Sequence, residues 1–385
     1  MQFSASPRSQ VDAFIAMDVM ATAVAEESAG RDIAHLEVGQ PGTPAPAKAR
    51  EAAIEALRGG NTMGYTEALG VRALRERIAQ MYAEIHGVTL SPDRVVITTG
   101  SSAAFLLSFL AVMSAGDRLA LADPGYPSYR NILRSIDIEP VALQGELADG
   151  YQPTLALLAK AREAGPINAL LAASPANPTG TMLSREHMQA LIDDCLANGT
   201  TFISDEIYDR LSYGIRPTTA LALSNNAIVI NSFSKYYCMT GWRIGWMVVP
   251  EAMLRTVERL AQNHFICPPH ISQIAALAAM DCEDELSAHL DTYAANRKLL
   301  LEALPALGFA GFAPADGAFY LYGDVSRLTN DSVEFANRML KEAGVAAVPG
   351  VDFDPTRGHQ TMRLSFAGSR ETVEKAVERL GAWLG

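Results

Sequence analysis

Five short polar stretches in this 385-residue chain each follow directly on an apolar run, and each carries side chains capable of chemistry. Thr99-Gly100-Ser101-Ser102 opens a helical segment with small residues, hydroxyls and free backbone N–H groups. That combination cradles an anion, most simply a phosphate, although it also serves as an ordinary capped turn. Asp123-Pro124-Gly125-Tyr126 holds an aromatic ring at a turn, available to stack on a planar ligand or to pack in a loop. In SPANPTG, Pro175 and Pro178 stiffen the backbone around Asn177 and aim its amide, and Asn-Pro is equally a common turn former. Ser204-Asp205-Glu206-Ile207-Tyr208 sets two acids at a strand end. A carboxylate buried there needs a cationic partner, and the plainer alternative is a cap on the next helix. Asn231-Ser232-Phe233-Ser234-Lys235 places an amine among hydroxyls, with Arg243 shortly beyond. A neighbouring cation depresses a lysine's pKa and turns it into a nucleophile, whereas most lysines simply face solvent.

The elements that must position these groups are short apolar runs at Val95 to Thr98, Leu119 to Ala122, Ala169 to Ala173, Thr201 to Ile203, Ala227 to Ile230 and Ile244 to Val249. Runs of that length bounded by turn residues read as strands buried on both faces. Helical stretches separate several of them. From Ser184 to Asn198, for example, Met188, Leu191, Ile192, Cys195 and Leu196 share a stripe and Gly199 acts as a stop. Strand, helix, strand requires crossovers, so the expected fold is α/β, with a mainly parallel sheet in a large three-layer α/β/α domain. Ligands of such sheets bind beyond the carboxyl ends of the strands, where all five polar stretches fall. The ligand they jointly demand is planar, carries a phosphate and a ring nitrogen that an acid keeps protonated, and joins an amine as an imine. Pyridoxal phosphate meets each demand.

After Pro268-Pro269 the pattern changes to a long helical stretch from Ser272 to about Leu304, short Gly/Pro-punctuated strands, and helices at Val333 to Ala343 and Glu371 to Leu384. The domains expected are an N-terminal arm over 1–45, a large cofactor-binding domain over 46–270 and a smaller α+β domain over 271–385. The 31 Lys and Arg against 43 Asp and Glu leave a net charge of −12, which speaks against a nucleic-acid partner. Cys195, Cys238, Cys267 and Cys282 show no CxxC or Cys/His ligand spacing, so no metal site and no disulfide framework is expected. No apolar stretch is long enough to span a bilayer, and no export signal is read at the start. A cytoplasmic protein with no membrane partner is expected.

Taken in order, VGQP near residue 40, GYTEALG at 64–70, TTGSS, DPGYPSY, SPANPTG, SDEIY, SFSK, GWRIGW and MRLSF at 362–366 resemble the fold-type-I pyridoxal-phosphate aminotransferases of class I/II. The resemblance implies that Lys235 forms the Schiff base, that Asp205 pairs with the pyridinium nitrogen, and that Tyr208 and Asn177 bond the ring 3-oxygen. It implies Tyr126 stacked on the ring, and Gly100, Ser101, Ser102, Ser232 or Ser234, and Arg243 on the phosphate. Tyr65 would reach the cofactor phosphate of a neighbouring subunit, implying a homodimer with shared sites. Arg363, Asn177 and the backbone at Gly39 would bind the substrate α-carboxylate. The implied activity passes an amino group from an L-amino acid to a 2-oxo acid in a ping-pong cycle.

Arg363 has a second argument. Met362, Leu364 and Phe366 form one apolar strand face, which turns Arg363 to the other side, toward a cleft or toward water. Two segments depart from the family pattern. Gly42-Thr43 stands where an acid-aromatic pair is common, and PGVDFD at 349–354 lacks a glycine after its phenylalanine. No second arginine for a distal carboxylate is identifiable. The competing readings are a β-eliminating lyase on the same scaffold, a non-catalytic cofactor-binding protein, and a cofactor-free lysine aldolase.

Overall fold

The computed structural model describes residues 4–60 and 62–385. Its strands, in chain order, are β1 (Ala34–His35), β2 (Val95–Thr98), β3 (Arg118–Asp123), β4 (Glu139–Gln144), β5 (Ala169–Ala173) and β6 (Thr201–Asp205). They continue with β7 (Ile228–Ser232), β8 (Gly245–Val248), β9 (Tyr320–Asp324), β10 (Val345–Ala346), β11 (Val348–Pro349) and β12 (Thr361–Ser365). Seven of them form one sheet in the order β2-β8-β7-β6-β5-β3-β4. All neighbours pair in parallel except β8, which runs antiparallel to both β2 and β7. Every residue of β2, β7 and β8 is buried. Successive side chains point to opposite faces, so both faces are covered, as the unbroken apolar runs require.

The six expected strands are present, with three extended at their carboxyl ends, β3 reaching Asp123. β6 continues through Ser204 and Asp205, which pair with Ala172 and Ala173, and β7 continues to Ser232. A polar side chain ends an apolar run in sequence, but the backbone ladder carries on and takes that side chain into the sheet. β4 is an added edge strand. Its sequence, EPVALQ, begins with Glu139 and Pro140 and is only partly buried, so it shows no clean apolar run, and proline is tolerated at an edge.

Helix Arg185–Ala197 is capped by the Ser184 hydroxyl, and its core face is Met188, Leu191, Ile192 and Cys195. Leu196 departs from the expected stripe: it lies roughly a quarter turn off the stripe's centre and is 70% exposed. The stretch expected to be one long helix from Ser272 is two, His270–Ala279 and Glu283–Ala303. Glu283, Asp284 and Glu285 make an acidic first turn, which favours a new helix start there. Helices Ser332–Arg338 and Arg370–Leu384 match expectation, the first continuing through a wider turn to Ala343.

β11, β12 and β9 form a small antiparallel sheet, and β1 pairs in parallel with β10. The chain's first long helix, α1 (Ile15–Ser28), is anchored at its start by Asp352, whose carboxylate oxygens accept the N–H groups of Ile15 and Ala16, each at 3.1 Å. The 349–354 segment, atypical as a motif, thus acts as a cap for α1. Asp354 in turn accepts from the Thr356 and Arg357 backbones and pairs with the Arg357 guanidinium. No described helix is long and apolar enough to cross a membrane.

Leu170, fully buried at the middle of β5 and in register with Ala120 and Phe202, reports on this core. Leu170→Ala is expected to destabilise the protein by about 2–5 kcal/mol, read as a lower denaturant midpoint with the slope unchanged.

Candidate active site

The strand ends bring the polar stretches to one rim. Ser101 and Ser102 from the start of helix Gly100–Val112, Tyr126 after β3, Asn177 after β5, Asp205 and Tyr208 at and after β6, and Ser234 and Lys235 after β7 line one cavity. Arg243, Gly39 and, from β12, Arg363 line it as well. Three expected residues do not line it. Gly100 lies behind the Arg243 guanidinium. Ser232 lies behind the wall, its hydroxyl donating to Ser234 Oγ at 2.8 Å. Tyr65 is 83% exposed and does not line this cavity.

Lys235 lies partly buried just beyond β7, and its ammonium donates to the Gly39 carbonyl. Burial first, then the charges of Arg363 and Arg243, push its pKa down to about 7. The cationic setting read in the sequence is therefore real, but desolvation is its larger part.

Asp205 is 2% exposed. Its Oδ1 accepts the Ile207 N–H at 3.0 Å and its Oδ2 accepts the Tyr129 hydroxyl. Burial pushes the carboxyl up to about 6, with both hydrogen bonds and Lys235 opposing. The helix-cap alternative for Asp205 is partly right, since Ile207 is its backbone partner, but no helix follows. Glu206, equally buried, turns away to accept from Ser204 Oγ and the Ala220 N–H.

Arg243 and Arg363 are the informative cations. Arg243 follows a short 3-10 turn in the left-handed region, donates to the Thr240 carbonyl at 2.9 Å and lies against Gly100. Gly100 has φ +72°, which favours glycine, and a Cβ built there would push the Arg243 guanidinium out of its present place. Arg363 is 2% exposed, so the cleft alternative holds over water. Its guanidinium donates to Asn177 Oδ1 at 3.1 Å and to the Glu37 carbonyl at 2.5 Å, between the rings of Tyr320 and Phe353 at 4.4 and 4.8 Å. Neither arginine forms an ion pair among the described residues. Two cations held without a carboxylate in one cavity form a site for an anionic ligand. With its oxygen taken by Arg363, Asn177 keeps its amide nitrogen free to donate. Tyr208 Oη lies 2.7 Å from Tyr320 Oη.

Several residues of this site carry no signal in sequence. Tyr129 is a helical position among other aromatics, and only the fold sets its hydroxyl on Asp205. Phe14, Ala16, Met17 and Met20, on and just before α1, line the same cavity from the far end of the chain, with Val38 and Glu37. Glu37 is fully buried, and its Oε1 meets His35 Nδ1 at 2.7 Å. The hydrogen bond to Glu37 raises the His35 pKa to about 9 against the opposing effect of burial. No group of three or more metal-ligating side chains occurs among the described residues.

Comparison with known proteins agrees with this geometry. Residues 31–380 match the model of the family described as aminotransferase class I and II. A valine–pyruvate aminotransferase of Mycobacterium tuberculosis is 47% identical over 98% of this chain and 97% of its own length. A solved aminotransferase structure from Mycobacterium tuberculosis superposes with a TM-score of 0.96 at 46% identity, covering 100% of this chain and 99% of that one. Thermus thermophilus aspartate aminotransferase with maleate superposes with a TM-score of 0.91 at 31% identity, covering 99% and 100%. The fold is therefore the fold-type-I α/β architecture, and amino-group transfer is the chemistry rather than elimination. The chain belongs to the aminotransferase class I and II family, enzymes that move an amino group between an amino acid and a 2-oxo acid.

Proposed function

We propose that this enzyme is a pyridoxal-phosphate-dependent aminotransferase in which Lys235 is the covalent and proton-transferring amine, working as a cytoplasmic homodimer. The observation that carries the reading is the convergence of three cations on one cavity, the buried Arg363, the partly buried Lys235 and the solvent-exposed Arg243, with buried Asp205 on its wall. Their chemistry suits the cofactor's parts: an amine of lowered pKa for an aldehyde, a buried acid for a ring nitrogen, and hydroxyls with an arginine for a phosphate. The space at Gly100 that a Cβ would fill is part of that phosphate cradle.

When bound, pyridoxal phosphate supplies an aldehyde that condenses with amines and a protonated ring that accepts electrons. Gly100, Ser101, Ser102, Ser234 and Arg243 hold its phosphate, with Ser232 orienting Ser234 through their hydrogen bond. Tyr126 would stack on the ring. Tyr208 and the amide nitrogen of Asn177 would donate to the ring oxygen. Asp205 would accept from the ring N–H and keep that nitrogen protonated. The fork of Arg363, fixed between two rings, grips the substrate α-carboxylate beside Asn177 and the Gly39 backbone. Lys235 Nζ, whose lowered pKa of about 7 makes a substantial neutral fraction available near neutral pH, would take the substrate Cα proton and hold it for return. Exposed Tyr65 is available to a second subunit, where it reaches the neighbouring phosphate. Residues 46–270 form the cofactor-binding part, and 1–45 with 271–385 form the part that closes on substrate.

Lys235→Ala is expected to fold, to bind the cofactor without a covalent link, and to transfer no amino group. Mass spectrometry after borohydride reduction together with a coupled transfer assay reads both effects, and near-normal transfer by the variant would refute the assignment. In cofactor-free protein, the neutral fraction of Lys235 grows as pH rises through about 7, so its reaction with the cofactor aldehyde should accelerate across that value and level off above it.

Asp205→Ala should lower kcat by about 10²-fold or more. Tyr129→Phe removes a hydrogen bond to the Asp205 carboxylate, a bond that favours ionisation. The acid limb of its kcat/KM profile should therefore move to higher pH, with a rate loss of about tenfold.

A further inference from the structure

A substrate held by its α-carboxylate on Arg363 and its amine near Lys235 has one part left to place, its side chain. The cavity's remaining wall comes from the arm: Phe14, then Ala16, Met17 and Met20 of α1, with Val38 beside them. Positions 16, 17 and 20 fall on one helix face, and Met17 is half exposed. This wall is built, not incidental. Asp352 fixes the first turn of α1 through the Ile15 and Ala16 N–H groups, and the His35 ring bridges Glu27 on the last turn at 3.1 Å to Glu37 at 2.7 Å.

The charges of the cavity exclude an acidic side chain. Its cations are Lys235, Arg243 and Arg363, and all three are already assigned, to the amine chemistry, the phosphate and the α-carboxylate. Glu37 stands in the same wall with one carboxylate oxygen lacking any hydrogen-bond partner. His35, bonded to Glu27 and Glu37 and held charged by its raised pKa, balances Glu37. A charged side chain of either sign placed against α1 would therefore give up water and meet no free counter-charge, which is costly. An apolar side chain meets two flexible methionines, an alanine and a valine, surfaces that adapt to several aliphatic shapes.

We propose that the exposed face of α1 is the side-chain subsite of this enzyme, that it selects neutral amino acids with apolar side chains, and that Met17 and Met20 set this preference. The inference rests on the transaminase reading and adds the substrate class. In a hydrophobic pocket a methylene changes kcat/KM by about tenfold or more, so the preference should climb from alanine through 2-aminobutyrate to valine or leucine before size limits it.

The test uses the pyridoxal-phosphate-loaded enzyme and one amino acid at a time, with no acceptor, following the cofactor absorbance through a single half-reaction. Valine, leucine or methionine should react at least tenfold more efficiently than aspartate, glutamate, lysine or arginine. Met20→Arg and Met17→Arg should each narrow or reverse the gap between valine and aspartate. Alongside, the unreactive carboxylates 3-methylbutanoate and succinate are titrated against the same absorbance, and 3-methylbutanoate should bind more tightly. A preference for acidic or cationic amino acids, or tighter binding of succinate, overturns the subsite. If no amino acid changes the absorbance, the transaminase reading fails, and the two carboxylates still decide whether the wall is apolar.

Discussion

The site is organised around a guanidinium buried without a carboxylate partner, with a second, exposed one at the same cavity. Arg363 sits at 2% exposure between two aromatic rings, bonded only to an amide and a carbonyl, and Arg243 lies against the backbone of Gly100. Removing a guanidinium from water without a counter-charge is costly, and a fold tolerates it where a ligand anion completes the balance. Lys235 shares that field. Burial, assisted by the two arginines, lowers its pKa to about 7, so the charge arrangement that recruits anions also frees the amine for chemistry. Asp205 is the counterweight, held by Ile207 and Tyr129 so that its carboxylate faces a fixed direction despite burial.

That arrangement depends on two bodies of structure meeting. The seven-stranded sheet supplies Asp205, Lys235 and the cradle at Gly100 from the ends of β6, β7 and β2, and its burial on both faces keeps those ends rigid. The small antiparallel sheet supplies Arg363 from β12, and the chain's beginning supplies Gly39, Glu37 and α1. Hydrogen bonds join them directly: Arg363 to Asn177 and to the Glu37 carbonyl, and Lys235 to the Gly39 carbonyl. The segment around Asp352, which breaks the family pattern, is spent on holding α1 in that junction.

The sequence by itself determined the large sheet and most of its rim. Apolar runs of three to six residues have to be buried on both sides, and the polar residues that follow each run are then placed at a strand end by the chain alone, as for Asp205 and Lys235. Arg363 followed from the same alternation. Where local pattern was weak, the reading was incomplete: the edge strand Glu139–Gln144 is half exposed, the helix break before Glu283 has no proline or glycine, and Leu196 lies just off its stripe. Tertiary structure alone decided that Tyr129 reaches Asp205 across 76 positions, that Asp352 caps Ala16 across 336, and that Arg363 meets Glu37 across 326. Periodicity records which face of an element is buried, but not which distant element buries it, and the wall formed by α1 belongs to that second kind of information.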